Sequence, residues 1–296
     1  MALHFLPGGP ALVVENTMRV LVIADLHIGI ESDLDVHGIH IPSQGRGRVD
    51  RVIACIDAGK PDLVILLGDV KHSVPLTTRQ EYGELPVLFG EIRSRAPLRV
   101  VPGNHDGGIE RFLQEGELLP MRGALVDGIG YLHGHTYPGP ALLGHLLVIG
   151  HHHPMVSLRD EVGCALRDRA YLLTSLDEEC LGLAGDEGGM TAGAAGAAGG
   201  NRSRDGRRRS ERSAGLDEDE GGKNGGQEID RTGRNEGNCP TRVLVMPAFN
   251  ELTGYDVTKM RESPLGPLSK CMDFPNAEVF LTDGTYLGLL GSLGEE

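Results

Sequence analysis

The chain has 296 residues, 40% of them hydrophobic, and a formal net charge of −14. That length accommodates one large α/β domain or two small ones, with enough chain to bury a sizeable core. An acidic surface repels nucleic-acid phosphate, which excludes a broad DNA-coating face but not a local pocket that admits one phosphate.

Residues 18–24 (MRVLVIA) are a short β-branched apolar run, expected to be a buried strand whose end presents Asp25 and His27. Residues 30–48 are polar and irregular. Residues 49–58 place apolar groups at helical spacing, and Gly59 with Pro61 ends that helix. A second buried strand, 62–67, stops at Gly68-Asp69. A helix over 80–95, interrupted at Pro86, leads to a third strand, Leu98 to Val101, and then to Gly103-Asn104-His105-Asp106. Ile129 to Leu132 runs into His133-Gly134-His135, and Leu146 to Ile149 into Gly150-His151-His152-His153. Strands alternating with helices predict a largely parallel sheet covered by helices, and open α/β sheets place ligands at their strand C-termini.

From Gly185 to Asn238 the composition shifts to an Ala/Gly tract, an Arg-rich cluster (Arg202 to Arg212) and an acidic cluster (Asp217 to Glu220). Nine basic and eleven acidic residues leave that stretch at −2, so the remainder carries about −12. Almost nothing bulky and apolar is present to offset the entropy of ordering, and the segment is expected to be disordered. Strand-like runs return at Thr241 to Pro247, Ala277 to Thr282 and Tyr286 to Leu290. The expected organisation is one domain, 1–184 and 239–296, interrupted by an insert, 185–238.

Five scattered cysteines (Cys55, Cys164, Cys180, Cys239, Cys271) fit reduced thiols in a cytoplasm better than a disulfide framework. Met1 to Asn16 lacks the pattern of a signal peptide, and no apolar run approaches the roughly 20 residues of a membrane span. The expectation is a soluble cytoplasmic protein with no membrane partner.

Singly, each polar turn is weak: an Asp-x-His after a strand is most often a turn cap. Jointly they are not, because Asp25, His27, Asp69, Asn104, His133, His151 and His153 follow five strand ends in order. Oxygen and imidazole ligands without thiolates suit Mn²⁺, Fe or Zn²⁺, with Ni²⁺ a further candidate, and argue against a structural zinc knuckle. A shared carboxylate between two half-shells suggests two cations roughly 3.5–4 Å apart.

ADLHIG, LLGDVKH, VPGNHD, LHGH and IGHHH resemble, in order, the five signature motifs of the calcineurin-like metallophosphoesterase superfamily. With ESDLDVHGIHIPSQ and the late VMPAFNELTG, the chain resembles the archaeal ICC-like phosphoesterases. These are similar to ligase-associated phosphoesterases and more distantly to double-strand-break repair nucleases.

The resemblance implies a four-layer α/β/β/α sandwich and a dinuclear, metal-dependent phosphoesterase, with Mn²⁺ the favoured ion. It implies that Asp25, His27 and His153 hold one metal, that Asn104, His133 and His151 hold the other, and that Asp69 bridges them. His105 is then the catalytic imidazole, Asp106 orients His105, and a water or hydroxide between the metals is the nucleophile. The implied partner is a phosphate-ester substrate, a phosphodiester above all, with nucleotides or nucleic acid among the candidates. A DNA-repair nuclease and a non-catalytic metal-binding scaffold are the alternatives.

Two positions depart from the family pattern: His72 stands where a carboxylate is common, and His152 replaces Thr. His135 is left between a substrate contact and a structural role. Arg46 and Arg48 are either phosphate-binding or exposed loop arginines. His37 and His40 are read as non-catalytic, and Asn250 as a residue that approaches the site from the returning strands.

Overall fold

The apolar runs become strands because both of their faces are covered. In the computed structural model, which describes residues 1–6, 8–159, 165–182, 240–260 and 262–293, the first sheet has the order β1-β2-β3-β4-β5. Its strands are β1 (Ala2–Leu6), β2 (Ala11–Glu15), β3 (Arg19–Ile23), β4 (Leu63–Leu67) and β5 (Leu98–Val101). The three strands β3, β4 and β5 are parallel, as the alternation with helices predicts. The antiparallel additions β1 and β2 were not anticipated.

Three helices belong to this half: α1 (Ile30–Val36), α2 (Gly45–Gly59) and α3 (Arg79–Arg93). The stretch read as irregular thus contains α1 and the first turn of α2. The expected break at Pro86 does not occur. Pro86 sits on the exposed face of an unbroken α3, where the carbonyl it leaves free can meet water. The helix starts with a reciprocal cap: Thr78 Oγ1 accepts from Glu81 N at 3.2 Å, and Glu81 Oε2 accepts from Thr78 N at 2.6 Å.

The second sheet is built from β6 (Ala124–Val126), β7 (Ile129–Leu132), β8 (Leu146–Ile149), β9 (Pro154–Arg159), β10 (Ala165–Ser175), β11 (Arg242–Val245), β12 (Tyr255–Asp256), β13 (Glu278–Leu281) and β14 (Tyr286–Leu289). Its order is β12-β9-β10-β11-β8-β7-β6, with β13 pairing to β10 and β14 to β13. Strands β7, β8 and β11 are parallel.

Alternation along the strands sorts the side chains into three cores. On β3, Leu21 and Ile23 meet the helices while Val20 and Val22 face the other sheet. On β8, Val148 faces the first sheet, and Leu147 and Ile149 meet the outer layer. The middle core joins the sheets through Ile65, Leu67, Tyr131, Tyr171 and Leu244. The expected two-sheet sandwich is present, with the outer cover of the second sheet made of the short α4 (Val257–Met260), 3₁₀ turns and loops.

One expectation fails. Cys180 and Cys271 form a disulfide, with their Cα atoms 5.6 Å apart across 91 residues of sequence. Scattered spacing hid the pair, because the turn after β10 that carries Cys180 and the turn carrying Cys271 meet only in the fold. Cys55 is buried and free. The expected insert, 185–238, lies outside the described residues. No helix among the described residues is long and apolar enough to cross a membrane.

Candidate metal centre

The strand ends of both sheets converge on one cluster, and their loops are knitted together by the backbone. Asp25 N donates to Gly68 O at 3.1 Å, His27 N to Asp69 O at 2.8 Å, and Asn250 N to Asp25 O at 3.1 Å. Across the sheets, His151 N donates to Asp25 Oδ2 at 2.9 Å. Five side chains expected as ligands sit on left-handed backbone: Asp25 (φ 56°), His27 (43°), Asp69 (46°), His151 (71°) and His153 (45°). Such conformations cost roughly 1–3 kcal/mol each for non-glycine residues and gather where function over-determines the chain. Two glycines admit the carboxylates. A Cβ at Gly103 would lie 2.1 Å from Asp69 Oδ1, and one at Gly150 would lie 2.6 Å from Asp25 Oδ2.

The first group comprises Asp25, His27 and His153. His153 Nε2 lies 3.0 Å from Asp25 Oδ1 and 3.4 Å from His27 Nε2. Ligands about 2.0–2.1 Å from one cation at tetrahedral to octahedral angles stand about 2.9–3.4 Å from each other, so these spacings fit a shared ion. Asp25 Oδ1 is buried and makes no directed hydrogen bond, which is the condition of a ligand atom facing its ion. The second group comprises Asp69, His133 and His151, whose donor atoms fall within 4.8 Å of one another. Asn104 Oδ1 joins it, 3.3 Å from His133 Nε2.

Asp69 touches both groups, with Oδ2 3.8 Å from His27 Nε2 and 3.4 Å from His133 Nε2. Carbonyls occupy the far ring nitrogens of the second group: Leu67 O faces His133 Nδ1 and Leu265 O faces His151 Nε2, each at 3.1 Å. A carbonyl can only accept, so these bonds set the tautomers and leave His133 Nε2 and His151 Nδ1 free to bind.

The electrostatics match a cation site. Burial alone would raise the Asp69 carboxyl, but His133 and His27 hold it well below the usual carboxylate range. The same opposition, with His153 as main partner, lowers Asp25. Burial and the neighbouring His153 push His27 down to about 3, so its ring is a neutral donor. His133 goes the other way, to about 9, because Asp69 and Asp25 outweigh its burial.

His105 stands at the edge, its Nε2 4.0 Å from Asp69 Oδ2 and its ring partly exposed. Its Nδ1 bonds the His72 carbonyl and its backbone N–H donates to Asp69 Oδ1 at 2.8 Å. The expectation that Asp106 orients His105 is not met. The turn sends Asp106 inward, where its carboxylate accepts from Lys71 N at 3.1 Å and Gly103 N at 2.8 Å, fastening two ligand loops. Burial and nearby Asp69 raise that carboxyl to about 6.

Arg48 is neither a phosphate arm nor an exposed loop residue. It lies in α2, 1% exposed, with Nη2 2.6 Å from Glu31 and 2.8 Å from Glu251. Arg46 is exposed and pairs with Asp50. His37 and His40 pair with Asp33 and Asp35 on the surface. His152 is buried and turned to Gly150 O. Asn250 does approach the site: its Nδ2 donates to Leu26 O at 2.9 Å and His27 O at 3.3 Å.

His72, noted only as a departure, belongs to the cluster. Its Nδ1 is 3.2 Å from His27 Nδ1, its Nε2 is 3.6 Å from Asp33, and its ring stacks on His105. The signal was its place three residues beyond Asp69.

Two mixed sheets, strand ends carrying paired carboxylate-imidazole groups and a carboxylate common to both define a protein built for a dinuclear cation site. A family model for the calcineurin-like phosphoesterases matches residues 18–172. That is 155 of the 296 residues, and the chain belongs to this family of metal-dependent hydrolases.

A Bos taurus transmembrane protein with a metallophosphoesterase domain is 25% identical over 91 residues. The match takes in 31% of this chain and 17% of that relative, so the chain spans about a sixth of its length. Among solved structures, the Pseudomonas putida nuclease MPE is similar at 14% identity and a TM-score of 0.46, over 92% of this chain and 97% of that one. The E. coli phosphoesterase Yfce is similar at 18% identity and 0.31, over 48% and 73%.

Proposed function

We propose that the chain hydrolyses phosphodiesters. In this reading Asp25, His27 and His153 hold one divalent cation, Asn104, His133 and His151 hold a second, and Asp69 serves both. The observation that carries it is the Asp69 carboxylate lying within 4 Å of a histidine from each group. Two bound cations, Mn²⁺ by preference, supply charge neutralisation of the phosphate and acidification of a water.

The chain's own residues do the rest. Burial keeps the His27 ring neutral, and carbonyl partners aim the rings of His133 and His151. His105, with Nδ1 spent on a carbonyl, presents Nε2 at the open edge, where it can stabilise the phosphate oxygens or protonate the leaving oxygen. Asp106 acts through the loops that carry Asp69 and Asn104.

The test is hydrolysis of bis(p-nitrophenyl) phosphate with and without added Mn²⁺, alongside metal analysis. Asp69→Asn is expected to lose more than the roughly 10–100-fold that an outer-shell change costs, and to retain less metal. Unchanged turnover in Asp69→Asn would sink the reading, as would wild-type protein that binds less than one ion per chain.

A further inference from the structure

Beside the second ligand group runs a groove of about 520 Å³, walled by His135, Thr136 and Tyr137 on one side and by Leu265, Gly266 and Lys270 on the other. Its inner end abuts the candidate metal ligands. The His135 ring centroid lies 5.1 Å from that of His133 and 6.0 Å from that of His151, and Leu265 O holds His151 Nε2. The two walls meet at their base, where a Cβ on Gly266 would come within 2.9 Å of Gly134 O.

The outer end has a different chemistry. Tyr137 is 50% exposed, and Lys270 is exposed with no carboxylate paired to it among the described residues. Lys270 and His135 line the same groove, so an ammonium and an imidazole both face it on a chain of net charge −14. At the inner end His135 Nδ1 is buried with no hydrogen-bond partner. The lysine's backbone is anchored: buried Ser269 donates to Gly266 O at 2.9 Å and accepts from Gly266 N at 3.1 Å, and Cys271 is cross-linked to Cys180.

We propose that this groove takes the nucleotide next to the scissile phosphate, its base against Tyr137 and Leu265 and a second phosphate at Lys270. The inference rests on the proposed phosphodiesterase reading and names its substrate: a nucleotide unit phosphorylated on both sides. The volume falls in the range of small-molecule sites, base-aromatic stacking tolerates any base, and a lysine supplies a point charge for phosphate. His135 stands at the junction, its unpartnered nitrogen within the groove's wall.

The test is binding of thymidine 3′,5′-bisphosphate to the Mn²⁺-loaded full-length protein by calorimetry, against thymidine 5′-monophosphate. Wild type is expected to bind the bisphosphate about tenfold tighter, the scale of one charge-assisted contact. Lys270→Ala is expected to erase that difference. Tyr137→Ala is expected to weaken both ligands about five- to tenfold. Both residues are exposed, so the variants retain the fold, which circular dichroism checks.

Equal affinity for the two ligands in wild type, or wild-type affinity for the bisphosphate in both variants, overturns the proposal. A 5′-phosphorylated oligothymidine run in parallel separates a strand end from a free nucleotide as the natural source. Bis(p-nitrophenyl) phosphate carries neither base nor second phosphate. Its metal-dependent hydrolysis therefore tests the catalytic reading independently of the groove.

Discussion

Arg48→Met removes a guanidinium from a buried network and leaves its carboxylate partner behind. Glu31 is 3% exposed, and Arg48 Nη2 stands 2.6 Å from it. Removing one member of a buried pair costs about 3–5 kcal/mol. Glu31 keeps its bonds from Gln44 N at 3.1 Å and Gln80 Nε2 at 3.0 Å. Glu251, 31% exposed, keeps Arg51 at 2.6 Å. Those remaining contacts favour the lower end, about 3 kcal/mol.

At roughly 2–4 °C per kcal/mol for a domain of this size, the melting temperature should fall by about 6–12 °C. Far-UV circular dichroism melts would measure it, with both proteins at one Mn²⁺ concentration because bound metal itself raises Tm. Adding Glu31→Gln to Arg48→Met should return part of the loss, since the stranded charge is then gone. A single variant melting within about 2 °C of wild type would refute the argument, for it would mean that Glu31 finds solvent when Arg48 leaves.

Asn250→Ala strips Nδ2 from two carbonyls of the loop bearing His27, and Oδ1 from Leu252 N. At about 1 kcal/mol for each hydrogen bond, it should destabilise the protein by about 2–3 kcal/mol and speed metal loss during dialysis against a chelator; wild-type metal retention would count against the loop argument. We also propose that residues 185–238 are dispensable. Strands β10 and β11 are antiparallel partners with Ser175 opposite Arg242, so their facing ends need only a short link. A chain with a Gly-Ser linker in place of 185–238 should stay soluble, melt near wild type and keep Mn²⁺-dependent hydrolysis, and failure to fold would contradict the division.

The strands that were legible are those buried on both faces. Strands β3, β4, β5, β7 and β8 read as short, mostly apolar runs because helices or loops cover one side and the opposing sheet the other. Strand β10 was not legible: its first half carries Arg167, Asp168 and Arg169, a polarity that conceals eleven residues of strand. The candidate ligand positions could be picked out because each follows a strand end. Their supports were not. Glu251 reaches Arg48 across 203 residues, and no local pattern announces it. Asp106 misled by adjacency, since sitting next to His105 in sequence says nothing about which way a turn directs the side chain.

The Cys180–Cys271 bridge closes residues 180–271 into a covalent ring that includes β11, β12 and Asn250. Scission within that ring would create new termini without releasing a fragment, and the halves would part only after both reduction and unfolding. Sequence could therefore be exchanged within 185–238, between β10 and β11, as cargo on a closed tether, with β11 still held between β8 and β10 by its own strand pairing.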